Sequence, residues 1–342
     1  MAQIIPKKLV SVESNWQKEL AFAFTDPEKL LRYLSLDPLD YQADIAARRL
    51  FPLRVPRHFA TLMRAGDPAD PLLLQVLPLQ QEFQVSPDYS FDPLNEQSNP
   101  TPGLLHKYRS RVLLIVRGGC AVNCRYCFRR HFPYGDNSPS HREWQSVITQ
   151  ISADSNINEV IFSGGDPLMA KDHHLADLAQ QVSAIPHIKR LRIHTRLPVV
   201  LPDRIDDSFI QWFGTLPLQR LMVLHINHPN EISPELEHRL SLLADAGVTL
   251  LNQAVLLKGV NDSADTLTSL SEKLFAARIL PYYLHMMDKV QGAAHFDVDA
   301  KTAKQIMHEL SARLPGFLVP KLVREIGGKT SKSLIDLGMA EQ

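Results

Sequence analysis

From residue 111 onward the chain repeats one pattern. A short apolar, β-branched run is followed by an amphipathic stretch and then by another run. The runs are RVLLIV (111–116), EVIFSG (159–164), LRIHT (191–195), LMVLHI (221–226), VTLLNQAVLL (248–257), ILPYYLH (279–285) and FLVPKLV (317–323). Most of the later ones recur at roughly 30-residue spacing, the size of one βα unit. Between them HREWQSVITQIS, DHHLADLAQQVSAI, SPELEHRLSLLADAG and SADTLTSLSEKLFAAR have helical spacing, and SPEL opens with a serine cap while Gly247 closes the same helix. Apolar strands alternating with helices imply a parallel sheet covered by helices. Six or seven units are too few for a closed eight-stranded barrel. The expected fold is therefore α/β, an open, partial (β/α) barrel with its active site at the strand C-terminal ends. A doubly wound open sheet is the alternative.

Residues 1–100 read differently. DPEKLLRYLSL and QADIAARRL have helical spacing but lie among prolines, and SPDYSFDPLNEQSNPTPG is a polar, proline-rich loop. This segment is expected to be a helical extension packed on a main domain of residues 101–342. Charged residues make up 22% of the chain and sum to a net charge of zero, which argues against a generic nucleic-acid binder. The N-terminus shows no signal peptide, and no stretch reaches the roughly 18 apolar residues of a membrane helix. A cytoplasmic protein with reduced thiols is expected.

All three cysteines fall in CAVNCRYC, as Cys120, Cys124 and Cys127, directly after the first run. An odd count in a reducing compartment argues against a disulfide framework. Thiolates so closely spaced can converge on one metal centre. Structural zinc needs four ligands, and His131 is a candidate fourth. A [4Fe–4S] cluster normally takes four cysteines, so three leave one iron open to a substrate or cofactor. The next run ends in FSGGDP, with Gly164, Gly165 and Asp166 where backbone can approach a ligand closely.

C-x3-C-x2-C after the first strand of a partial barrel resembles the radical S-adenosylmethionine (SAM) enzymes. Several further stretches make the chain similar to the lysine 2,3-aminomutase family and, within it, to the shorter relatives that mature elongation factor P. They are CRYCFRRHF, FSGGDPL, RLPVVLPDRI, HINHPNEIS, LLADAGVTLLNQAVLLKGVND and ILPYYLHMMD. The resemblance implies the partial (β/α)6-type TIM barrel of the radical SAM superfamily. It also implies isomerisation of L-α-lysine to β-lysine, with a [4Fe–4S] cluster, SAM and pyridoxal 5′-phosphate (PLP) as cofactors.

Residue by residue, the resemblance assigns the cluster to Cys120, Cys124 and Cys127. SAM goes to Gly164, Gly165, Asp166, His225 and Gln253, with Arg196 as a further basic residue on the catalytic face. PLP needs a lysine, and REIGGKTSKSL (324–334) offers Lys329 and Lys332. The family spacing counted from Gly327 favours Lys332. GGKTS is no phosphate-binding P-loop, because Val323 stands where its first glycine belongs. Lys107, where the family more often has arginine, and Arg111 match residues for the PLP phosphate. Arg129 matches the arginine for the substrate carboxylate. Asp288 and Glu325 match the acids for the substrate ε-ammonium, the second being aspartate more often in the family.

The longer relatives' zinc cysteines have no counterpart, since Ser263 follows GVND and no C-terminal cysteines occur, so no zinc is expected. The family's larger oligomer goes with a C-terminal extension that is absent here; a homo-oligomer of another size stays open. The implied partners are L-lysine, an electron donor such as flavodoxin or ferredoxin, and, functionally, elongation factor P with the ligase that transfers a lysyl group to it. Neither nucleic acid nor membrane is expected. Glutamate or arginine as substrate, and a non-enzymatic metal-clipped scaffold, are the alternatives.

Overall fold

The computed structural model describes residues 15–98, 101–137, 139 and 141–338. Its sheet contains nine strands: β1 Leu104–Tyr108, β2 Arg111–Arg117, β3 Glu159–Gly164, β4 Arg190–Thr195, β5 Gln219–Leu224, β6 Thr249–Val255, β7 Leu280–His285, β8 Lys321–Arg324 and β9 Ser333–Leu334. They lie in chain order. All pairings from β2 to β8 are parallel, while β1 and β9 are antiparallel additions at the two edges. An order that never reverses has no switch point, which excludes the doubly wound sheet and leaves the partial barrel.

Each sequence run became a strand, but the runs are less uniform than they read. Leu114, Phe162, Ile193, Met222 and Leu250 sit in register across β2 to β6, and all are buried. They belong to one apolar core with Val147, Leu175, Phe209, Leu240 and Leu270 of the covering helices. The intervening residues face the other way, by the two-residue period of a strand. On that inner face Ile161, Ser163, Arg192 and His194 line a cavity. The arginine and histidine inside LRIHT are thus where the cavity needs polar groups.

The edge strands were not legible. Lys107, which precedes the first apolar run, lies on β1, and Lys332 directly precedes β9. Side chains span the open edge of the barrel: the Tyr108 hydroxyl donates to Glu325 Oε1 at 3.0 Å, and Lys107 Nζ lies 3.5 Å from the same oxygen.

The N-terminal segment is helical only in short pieces, among them Asn15–Ala21, Pro27–Tyr33, Arg57–Thr61 and Pro71–Leu74. Its prolines start these pieces rather than continue them; Pro27 and Pro71 occupy first turns capped by Asp26 and Asp70. Trp16, Leu30, Leu31, Phe59, Leu72 and Leu73 share the barrel's own apolar core. Among the described residues no helix is long and apolar enough to cross a membrane.

Candidate active site

The three cysteines occupy the loop after β2, half-buried and free. Much of what holds this loop comes from the N-terminal segment. Arg54 donates to the Cys120 carbonyl at 3.2 Å, and Asn123 N donates to the Arg54 carbonyl at 3.1 Å. The Glu82 carboxylate is fully buried and takes Arg125 at 2.8 and 2.6 Å and Arg130 at 2.6 Å, two cations flanking Cys124 and Cys127. Burial and the neighbouring thiols push Cys120 up and Cys127 to about 11.

Gly164 and Gly165 abut this loop. Gly164 has φ +131°, and a Cβ there would lie 2.3 Å from the Arg117 carbonyl oxygen; one on Gly165 would lie 2.8 Å from the carbonyl oxygens of Gly118 and Gly119. The close approach that requires glycine is therefore of one protein loop to another. Both of Asp166's carboxylate oxygens are used internally. They accept from Leu168 N, Thr195 Oγ1, Arg196 N and Leu197 N at 2.8–3.0 Å, which fixes the turn leaving β4.

One cavity of about 270 Å³ joins these groups. Its wall includes Cys120, Cys124, Cys127, Gly164, Gly165, Asp166, Arg196, His225 and Gln253. It also includes Lys107, Arg111, Arg129, Asp288, Glu325 and Lys332. Every site residue expected from the sequence is thus brought to one place. Lys329, the competing lysine, is exposed and outside that wall. His131 is outside it too: its ring meets Phe91 edge-on and its Nε2 lies 3.2 Å from the Gln291 carbonyl oxygen, so it does not join the cysteines. Ser263 instead caps the helix Ala264–Ala276, its Oγ accepting from Thr266 N at 3.2 Å. The HPN stretch forms a short 3-10 turn that buries Glu231.

Within the cavity the charges are strongly coupled. Lys332 and Glu325 form an ion pair. Burial opposes the Glu325 charge, but Lys332, Lys107 and Tyr108 outweigh it and hold the carboxyl at about 2. Asp288 goes the other way, to about 7, because burial and then Glu325 disfavour its charge. Burial, and Arg196 nearby, lower His225 to about 3, so it is neutral at physiological pH. Arg111 lies over the Tyr108 ring at 3.9 Å.

Glu96 was missed, hidden in a stretch that read only as loop. Its carboxylate takes Lys107 Nζ at 2.6 Å, and Arg129 through Nε at 2.6 Å and Nη2 at 3.1 Å. Burial raises its pKa, yet the two cations prevail and hold it below the ordinary carboxylate range. Arg129 also reaches the Gly164 carbonyl at 3.2 Å. His194 and His285 were missed as well, with nothing but their inward parity on β4 and β7 to signal them.

Residues 114–268 match the profile of the radical SAM superfamily. The chain is 54% identical to an L-lysine 2,3-aminomutase of Escherichia coli (strain K12), over the whole of both chains. The chain belongs to the lysine 2,3-aminomutase family. The Haemophilus influenzae aminomutase is 53% identical over 97% of this chain and 99% of its own. The longer Clostridium subterminale aminomutase is 32% identical over 93% of this chain and 77% of its own. The chain is accordingly an isomerase, with the [4Fe–4S] cluster and SAM of radical SAM enzymes as cofactors.

The aminomutase cavity fits those groups. Cys120, Cys124 and Cys127 share one wall of it, and cysteine thiolates are the ligands an iron–sulfur cluster takes. Residues lining this space also carry buried polar atoms without a hydrogen-bond partner: Asp288 Oδ1, His285 Nε2, His194 Nε2 and Arg192 Nε. Such atoms are costly unless a ligand or water satisfies them.

Proposed function

We propose that this chain converts L-α-lysine to β-lysine as a PLP-dependent radical SAM aminomutase. The observation that carries the substrate is Glu325. It already pairs with two lysine ammonium groups, those of Lys332 and Lys107, beside a second acid, Asp288, in the cavity the cysteines line. A substrate ε-ammonium would find the same acceptors there. A substrate ending in a carboxylate, as glutamate does, would meet like charge.

In this reading Cys120, Cys124 and Cys127 hold the cluster. Gly164, Gly165, Asp166, His225 and Gln253 shape the SAM site, Asp166 by fixing the turn after β4. Lys332 carries PLP, with Lys107 and Arg111 toward its phosphate. Arg129 takes the substrate carboxylate, and Asp288 and Glu325 its ammonium. Bound there, the cluster and SAM would supply a hydrogen-abstracting radical, and PLP a conjugated ring that lets nitrogen move from Cα to Cβ. The protein's share is orientation and exclusion of water. Carboxylate and ammonium clamps at the two ends of lysine fix its Cβ relative to the cluster side of the cavity. Glu96 sets the Arg129 guanidinium before substrate arrives. Phe51, Leu94 and Glu96 of the N-terminal segment complete the cavity wall and limit the water that reaches it.

The further parts rest on the sequence resemblance. β-Lysine would serve to modify a lysine of elongation factor P through a lysyl-transferring ligase. The chain would work in the cytoplasm, reduced by a flavodoxin- or ferredoxin-type donor, with residues 1–100 as an extension on the barrel of residues 101–342, and with self-association into a homo-oligomer left to measurement of its size in solution.

Anaerobic reconstitution with iron, sulfide, PLP and SAM, followed by mass-resolved amino-acid analysis, tests the activity. Lysine should yield β-lysine, and Cys124→Ala should lose both the brown absorbance and the product. Full turnover by that variant would overturn the reading. Loss of the β-lysyl mass from elongation factor P in cells lacking this chain tests its role there.

A further inference from the structure

Arg196 follows β4 directly and is 6% exposed. Its Nη1 donates to Cys124 Sγ at 3.0 Å and also contacts the Tyr126 hydroxyl. Its Nη2 donates to Gln75 Oε1 at 2.8 Å and to Glu231 Oε2 at 3.0 Å. The surroundings leave it little freedom. Glu231 is fully buried and is itself held by Asn227 N and His228 N at 3.0 Å and by Gln75 Nε2 at 3.1 Å. The Arg196 backbone N–H is fixed by Asp166 at 2.8 Å. A guanidinium is thus locked with one N–H pointing at a cysteine sulfur in a buried site.

We propose that Arg196 is a positioning residue for the cluster, and that its N–H···S bond to Cys124 raises the cluster's reduction potential. The proposal rests on Cys124 being a cluster ligand. Reduction adds one electron, and part of that negative charge falls on the cysteine sulfurs. A cationic donor at a sulfur therefore stabilises the reduced cluster more than the oxidised one, and the low local dielectric strengthens the effect. Glu231 neutralises part of the Arg196 charge and so sets the size of the effect. The same chain of contacts runs through Gln75, so the N-terminal segment reaches the electronic environment of the cluster and not only its loop.

The test is a redox titration of the reconstituted full-length chain without SAM, read by the electron paramagnetic resonance of the reduced cluster. Wild type and each variant are first matched for iron and sulfide. In Arg196→Gln the reduced-to-oxidised ratio at the wild-type midpoint should fall about tenfold, a shift of about 59 mV for a one-electron couple. Arg196→Lys, which keeps the charge, should recover part of it. Glu231→Gln should move the midpoint in the opposite, positive direction, which a merely structural role would not produce. It also serves if Arg196→Gln fails to hold its cluster. An unchanged midpoint in matched samples overturns the proposal, and weaker SAM binding with that unchanged midpoint makes Arg196 a SAM ligand instead. A wild-type chain with no [4Fe–4S] signal would instead remove the cluster reading on which the proposal rests.

Discussion

Glu82→Ala should both destabilise the chain and loosen the cluster loop. Glu82 and its partners Arg125 and Arg130 are essentially without solvent exposure. The substitution removes three hydrogen bonds from arginine at 2.6–2.8 Å and one from the Leu79 N–H at 3.0 Å, and leaves two buried guanidinium groups without an anion. Breaking a buried ion pair in this way costs about 3–5 kcal/mol. Arg125 keeps the Phe51 carbonyl at 2.6 Å, and Arg130 keeps the carbonyls of Arg125 and Gly292 at 3.0 Å, so the cost should not double for the second cation. Glu82→Gln retains the shape and one acceptor, and should cost about 2 kcal/mol, the worth of a hydrogen bond to a charged group. The assay is urea unfolding of the metal-free chain. With a denaturant dependence of about 3 kcal/mol per M, the alanine variant should lose about 1–1.7 M in midpoint. After reconstitution it should also retain less iron, because the two arginines flank Cys124 and Cys127. A midpoint shift below about 0.3 M together with full iron content would refute the reasoning.

Asp288 titrates at about 7 in the folded chain against an ordinary value of 3.8, so the native state binds more protons than the unfolded chain between those limits. Ligand-free stability should fall as pH rises through that window, while the lysine KM should fall too, as the ionised carboxylate becomes able to pair with ammonium. Asp288→Asn should flatten both profiles, and an unaltered KM profile would remove Asp288 from substrate binding. Borohydride reduction followed by peptide mapping should find the pyridoxyl group on Lys332; a label on the exposed Lys329 would reverse that assignment. Gly165→Ala would put a Cβ 2.8 Å from two backbone oxygens, so thermal melting should show a loss of about 1–3 kcal/mol, and an unchanged melt would show that the loops can part freely.

Much of the site was legible because its signals are local. The cysteine spacing, the glycine pair ending β3 and the acids after β7 and β8 each lie within a few residues of a recognisable strand end, and in a barrel strand ends share one face. The parallel strands were legible because a strand covered by helices needs a short apolar, β-branched run, and these runs recur along the chain. The edge strands carry no such mark. LLHKY on β1 pairs two adjacent buried leucines with a polar end and shows no alternation, and β9 is two residues long, too short to show a period.

What the sequence determined by itself was a set of chemistries and the order in which strands deliver them. The tertiary structure decided which charges meet. Glu82 lies 43 residues from Arg125, Glu96 lies 33 from Arg129, Arg196 lies 72 from Cys124, and Tyr108 lies 217 from Glu325. A pairing over such distances leaves no spacing to read, because sheet register and the packing of loops on one another create it. The segment before the barrel shows this most clearly: as sequence it was a proline-broken extension, and in the fold its Arg54, Gln75, Glu82 and Glu96 hold the cluster loop, a buried arginine and the cations of the cavity in place.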